Sequence, residues 1–180
     1  MNSPRLSAEQ ISHVSGFVAD YVSAQRHKAL QYAIPLGHDQ QRSMEGFFPQ
    51  DVLYGVQLLV LEGTRLENPP FYEMLRKMGF MNLPDFSQMA AVTFCDVVVS
   101  HQRFSDGLLF HELVHVEQYR QLGVPRFAEL YARGFLTGGG YDGIPLEVNA
   151  YLLEDRFEKD PEMRFSVADE VTAWIQSGRF

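Results

Sequence analysis

The sequence has a single cysteine, Cys95, in 180 residues. No intrachain disulfide is possible, and a reducing compartment, the cytoplasm, is the default location. Cations are also scarce: 15 Lys and Arg stand against 23 Asp and Glu, a formal net charge of −8. There is no basic run and no interleaving of basic with aromatic residues, which argues against a nucleic-acid partner and against an anionic membrane surface. No stretch is long and apolar enough to span a bilayer. The opening Met1-Asn2-Ser3-Pro4-Arg5 leads into an amphipathic helix rather than an apolar core with a small-residue cleavage site, so a secretory signal is not expected. Delivery by a dedicated non-Sec apparatus stays open. Repeats, low-complexity tracts and linkers are absent as well, and 46% hydrophobic residues suit one domain over 1–180 built on one core. Nothing here speaks to oligomeric state.

What is present reads mainly as helix. Ser7-Ala8-Glu9-Gln10 is a capping-box pattern, and Ile11, Val14, Phe17, Val18, Tyr21 and Val22 follow at helical spacing to about Leu30. Gly37 to Gln41 reads as a loop and Val52 to Tyr54 as a helical turn. Val56 to Leu61 is short and apolar, as a buried strand would be. Asn68-Pro69-Pro70 opens a helix over Phe71 to Met78. Ala91 to Val99 is the strongest strand by β-branched and aromatic content, with Cys95 as packing and Asp96 suited to an edge. Ser105 or Asp106 caps a helix that Gly123 ends, and Pro125 opens the next. Gly138-Gly139-Gly140 with Tyr141-Asp142-Gly143 reads as a glycine-rich loop. Pro145 starts a helix through about Glu158, and Ser166 caps a last one that Gly178 closes. The expectation is a mainly helical α+β fold with a small sheet packed on the helix that begins near Ser105.

That helix carries His111-Glu112-Leu113-Val114-His115, the pattern H-E-x-x-H. Histidines four apart stack on one helical face, so their ring nitrogens can converge on one cation. Glu112 lies about 100° round from His111, poorly placed as a ligand and well placed beside a metal-bound water. Leu108, Leu109, Phe110, Leu113, Val114 and Val116 surround the pair, while Glu117, Gln118, Arg120 and Gln121 make the last turn polar, so the helix is expected to start buried and end at the surface. Burying two imidazoles and a carboxylate in an apolar segment is expensive unless something satisfies them, and a metal would. The competing reading is a core helix whose histidines hydrogen-bond to backbone.

Together with Pro145-Leu146-Glu147-Val148-Asn149-Ala150-Tyr151, the motif resembles the zincin metallopeptidases of the glutamate-ligand type (gluzincins). The run from Val92 through Tyr151, about a third of the chain, is similar to small bacterial zincin-like domains found near contractile injection systems and polymorphic toxins. The resemblance implies a minimal zincin-like fold in which His111, His115 and Glu147 hold Zn2+ and Glu112 is the catalytic base. It implies a peptidase acting on a peptide or protein substrate. Three protein ligands leave a fourth position open, as catalytic zinc requires. A second oxyanion donor is needed besides the metal, and Tyr141 and then His101 are the candidates, each also readable as ordinary packing or loop. Among the carboxylates after the motif, Glu117 points some 200° away from His115 on the same helix, Glu129 lies on the intervening helix, and Asp142 sits in an unconstrained loop. Glu147 and Glu154 share a face, and Ala150, one turn after Glu147, favours Glu147 by letting two helices approach. The backbone of Val92 to Val99 is a candidate for binding an extended peptide by strand addition. The alternative from another class is a zinc-binding but non-catalytic scaffold or partner-binding domain of a secretion or phage-like apparatus. A metal-free structural domain is the third.

Overall fold

A computed structural model describes residues 7–137, 140–178 and 180. Gly138 and Gly139 of the expected loop, and the Asp142 side chain, lie outside the described residues, as does the opening Met1 to Arg5. Helix α1 (Ala8–Leu30) begins as its sequence directs: Ser7 Oγ accepts from the Gln10 amide and the Gln10 side chain accepts from the Ser7 amide. Four strands follow in one mixed sheet, β1 (Ile34–Pro35), β2 (Gln57–Val60), β3 (Ala91–Phe94) and β4 (Val97–Ser100), in spatial order β1-β2-β4-β3. The pair β2/β4 is parallel, and β1/β2 and β3/β4 are antiparallel. The remaining helices are α2 (His38–Met44), α3 (Gln50–Gly55), α4 (Tyr72–Lys77), α5 (Asp106–Thr137), α6 (Pro145–Lys159) and α7 (Val167–Ser177). The fold is mainly helical α+β. Among the described residues no helix is long and apolar enough to cross a membrane.

The two faces of the sheet explain the layering. Side chains alternate along a strand, so Leu58, Ala91 and Val98 face one way and Phe94, Val97 and Val99 the other. The first set packs with Leu109, Phe110, Leu113 and Val114 of α5, and the second with Val14, Val22 and Ala29 of α1. Every residue of β4 is buried, as a central strand covered on both faces must be. Where one core is expected, buried apolar residues thus form two clusters, one on each face of the sheet.

Three expectations fail for local reasons. The stretch from Ala91 to Val99 is a hairpin, not one strand: Cys95 and Asp96 form its two-residue turn. Cys95 there takes φ 63°, a conformation that the apolar pattern around it does not announce. Asp96 faces outward to an ion pair with Arg26. The expected loop at Gly37 to Gln41 is the start of α2, where Met44 is wholly buried as an anchor on the last turn. Finally, the first arm of α5 reaches the surface only at Arg120, later than its sequence turns polar. Gly123 (φ 71°) breaks it into arms of residues 106–122 and 124–137, as expected, but Glu117 and Gln118 are 0% exposed.

Candidate metal centre

The first arm of α5 starts with Ser105 Oγ accepting from the Leu108 amide, and it places His111 and His115 one turn apart toward α6. Helix α6 starts at Pro145, which holds Glu147 in its first turn, where the positive end of the helix dipole favours a carboxylate. Ala150, completely buried, lies at the contact between α5 and α6. The outcome is a group of three: His111, His115 and Glu147 each offer a ligand atom, and these atoms lie within 4.8 Å of one another. All three side chains are buried.

The hydrogen-bond pattern around the group shows what it lacks. Gln118 Nε2 donates to the Leu146 carbonyl (3.1 Å) and to Asn149 Oδ1 (2.9 Å), leaving Gln118 Oε1 as acceptor for His115 Nδ1 at 2.9 Å. His111 Nδ1 likewise lies 2.9 Å from Glu154 Oε2. With their Nδ1 protons given to these acceptors, both imidazoles aim an Nε2 lone pair inward, and the two Nε2 atoms are 3.2 Å apart. Glu147 Oε2 sits 3.4 Å and 3.3 Å from them and has no hydrogen-bond partner. Three acceptors therefore converge with no donor between them, which only a cation or an added proton can relieve. Burial lowers the pKa of His111, but the Glu147 and Glu154 carboxylates outweigh it and carry it up to about 10. His115 is shifted upward for the same reason, with Glu147 against its burial. Burial pushes the Glu147 carboxyl up, and the two histidines outweigh that and depress it. Two nitrogens and one carboxylate oxygen, closely spaced and buried, are a donor set that could hold a metal ion, and zinc is among the ions such donors suit.

Glu112 stands beside this group without joining it. Thr93, on the α5-facing side of the edge strand β3, donates to Glu112 Oε2 at 2.6 Å. Burial raises the Glu112 pKa against the opposing pull of His115, His111 and Thr93. Tyr141, in a single turn of 3-10 helix (Tyr141–Gly143), is brought to the same place. Its hydroxyl is held neutral by burial first and then by the Glu147 carboxylate. Tyr151 lays its ring 4.5 Å from that of His111.

His101 is not brought to the group. Its Nε2 accepts from the Leu66 amide (3.0 Å) and its Nδ1 lies 2.6 Å from the Met89 carbonyl, so both ring nitrogens are engaged by backbone. It ties Leu66 to Met89. The competing carboxylates are engaged elsewhere: Glu117 takes a two-point contact from Arg120 and another from Gln121, and Glu129 pairs with Arg126 and Arg133. Four supporting residues were not foreseen: Thr93, Gln118, Asn149 and Glu154 in its contact with His111. For Gln118 a signal existed, because three residues after His115 lies on the same helical face.

Comparison with known proteins finds no matching family model, no matching curated protein and no matching solved structure.

Proposed function

We propose that the chain is a zinc-dependent hydrolase of peptide bonds, with His111, His115 and Glu147 as the ligands and Glu112 as the base. The observation that carries the reading is the convergence of two imidazole lone pairs and an unpartnered carboxylate oxygen beside a fourth group, Glu112, that is buried yet outside the donor set. When bound, zinc supplies Lewis acidity that polarises a scissile carbonyl and lets water give up a proton near neutral pH.

The residues of the chain do the rest. Glu112 accepts the proton of the attacking water and returns it to the leaving amine, and its raised pKa suits a group that must hold a proton between two steps. Thr93 keeps the acceptor oxygen aimed by donating to its carboxylate. Tyr141, a neutral donor beside Glu147, is positioned to steady the oxyanion of the tetrahedral stage. Among the described residues strand β3 pairs with β4 on one side only, so its other edge offers backbone groups to an extended peptide. Glutamate-ligand zincins are the family this reading favours.

The test pairs metal content with turnover. Wild type and Glu112→Gln are loaded with zinc and incubated with a diverse peptide pool, and products are read by mass spectrometry. The expected outcome is about one zinc per chain in both and cleavage by wild type alone, because the substitution removes a base and not a ligand. Equal cleavage by the variant, or stoichiometric zinc retained by a folded His111→Ala/His115→Ala protein, overturns the assignment.

A further inference from the structure

Two lobes of open space meet at the metal centre, and they differ in chemistry. One is a surface cleft bordered by Asp85, Gln88, His111, Tyr151 and Glu154. The other is a cavity of about 90 Å³ that runs from the centre between the sheet and α1. Glu112 and Tyr141 border both lobes, while His115 and Glu147 face the second alone. Away from those site residues the cavity wall is mostly apolar and rich in aromatic rings, including Phe71, Phe94, Phe127 and Phe135, with hydroxyls only from Thr93 and the tyrosines Tyr21, Tyr72, Tyr119 and Tyr131. Val14, Val18 and Val22 line it from α1, so it extends along two turns of that helix, roughly 12 Å at 1.5 Å per residue.

Such a space is not built for water. It is several times the roughly 10–15 Å³ that one water needs, and its exposed wall is mainly ring and aliphatic carbon with a few hydroxyls. Interiors otherwise pack to crystal-like density, so an apolar opening of this size leading to a reactive group is a place for something apolar from outside. Among the described residues neither lobe is lined by a lysine or arginine, so a terminal carboxylate finds no cationic partner in either.

We infer that the cavity receives a large apolar side chain, aromatic or long aliphatic, adjoining an internal amide bond that lies at Glu112 and Tyr141. This names a substrate class for the reading above and rests on it. Specificity is then one-sided: the apolar lobe selects for size and hydrophobicity, and the more open cleft accepts varied polar residues.

The experiment uses the full chain in two states. Chelator-treated protein is titrated with 4-fluorotoluene and followed by fluorine NMR, which reads the cavity without the metal. Saturable binding by wild type, lost in Ala132→Phe and in Val18→Phe, is expected, since both positions line the cavity. Val18 is only half-buried and guards against misfolding of the first variant. Zinc-loaded protein is then titrated with acetohydroxamate and with 3-phenylpropanohydroxamate. The arylalkyl probe should bind at least about 30-fold tighter, the scale expected for burying one aromatic group, and this advantage should disappear in both variants while acetohydroxamate affinity holds. No fluorotoluene binding, or equal affinity of the two hydroxamates for wild type, overturns the inference. Fluorotoluene binding with neither hydroxamate bound leaves the cavity assigned and removes the zinc reading instead, so the two failures are told apart.

Discussion

At the scale of single residues, the proposed centre separates groups placed to hold a cation from groups that hold those side chains. Glu147 Oε2 faces both Nε2 atoms, whereas Glu154 contacts only the far nitrogen of His111. Glu147→Ala should therefore abolish stoichiometric zinc binding, while Glu154→Ala and Gln118→Ala should each weaken it by about 10- to 100-fold, the usual range for partners of ligands. Side-by-side titration against a competing chelator orders the three, and a larger loss at Glu154 would mean the wrong carboxylate is assigned. Protonation gives a second check at this scale. In the metal-free protein the folded pKa of His111 is about 10 against its ordinary 6.5. A raised folded pKa contributes stability that is complete below the unfolded value and is lost as pH climbs through the folded one. Metal-free protein should therefore lose stability between pH 7 and 9, by up to about 1.4 kcal/mol per pH unit for each proton involved. That window lies below the range where Cys95, pushed by burial from 9.0 to about 11, joins in with the same sign. Zinc requires neutral imidazoles, so the stabilisation it adds should instead grow with pH over that window. Chemical denaturation at three pH values, with and without zinc, reads both slopes, and parallel slopes would show that the imidazoles are not what zinc displaces protons from.

At the scale of elements, the position of Glu147 depends on how closely α6 can approach the second arm of α5. Gly134 is where they touch: a Cβ there would stand 2.5 Å from Pro145 Cδ and 3.1 Å from Ile144 Cα. The second of these is backbone, so relief requires moving the start of α6, and Glu147 with it. Gly134→Ala should cost about 1–3 kcal/mol by overpacking and weaken zinc binding, although residue 134 is no ligand. Unchanged zinc affinity in a folded Gly134→Ala protein would mean that the first turn of α6 adjusts freely. This close approach was partly legible in the sequence. The small Ala150, one turn after Glu147, pointed to helix contact, and periodicity with capping residues marked α1, both arms of α5, α6 and α7. The hairpin was not legible, because its turn is made by Cys95 at positive φ rather than by glycine or asparagine, and its residues continue an apolar run. Helix α2 was missed because its residues 38–43 are polar and only Met44 is anchored. The same limit applies to the centre: local spacing pairs His111 with His115, but Thr93 reaches Glu112 and Glu154 reaches His111 only through tertiary contact.

At the scale of the whole molecule, the centre lies where the two core clusters meet. Helix α5 contributes Phe110, Leu113 and Val114 to one cluster and Tyr119, Phe127 and Leu130 to the other, and α6 contributes Ala150 and Leu153 to the first and Leu146, with the capping Ile144, to the second. A cation at His111, His115 and Glu147 would therefore join two helices that are each already fixed on both sides by apolar packing. Two consequences follow, and they pull apart the roles of metal and core. Because both clusters are large and formed by residues remote from the ligands, the metal-free chain should stay folded and unfold cooperatively rather than collapse to an expanded state. Because zinc binds the folded centre and not the unfolded chain, it should add stability by mass action, about 4 kcal/mol at free zinc near 1,000 times its dissociation constant. For a domain of this size that corresponds to a rise in melting temperature of roughly 8–16 °C. Calorimetry of chelated, zinc-loaded and Glu147→Ala protein tests both at once: one sharp transition in all three, shifted upward only in zinc-loaded wild type. A chelated protein without a cooperative transition would make the metal part of the fold itself, and an equal upward shift in Glu147→Ala would place the stabilising zinc somewhere other than this centre.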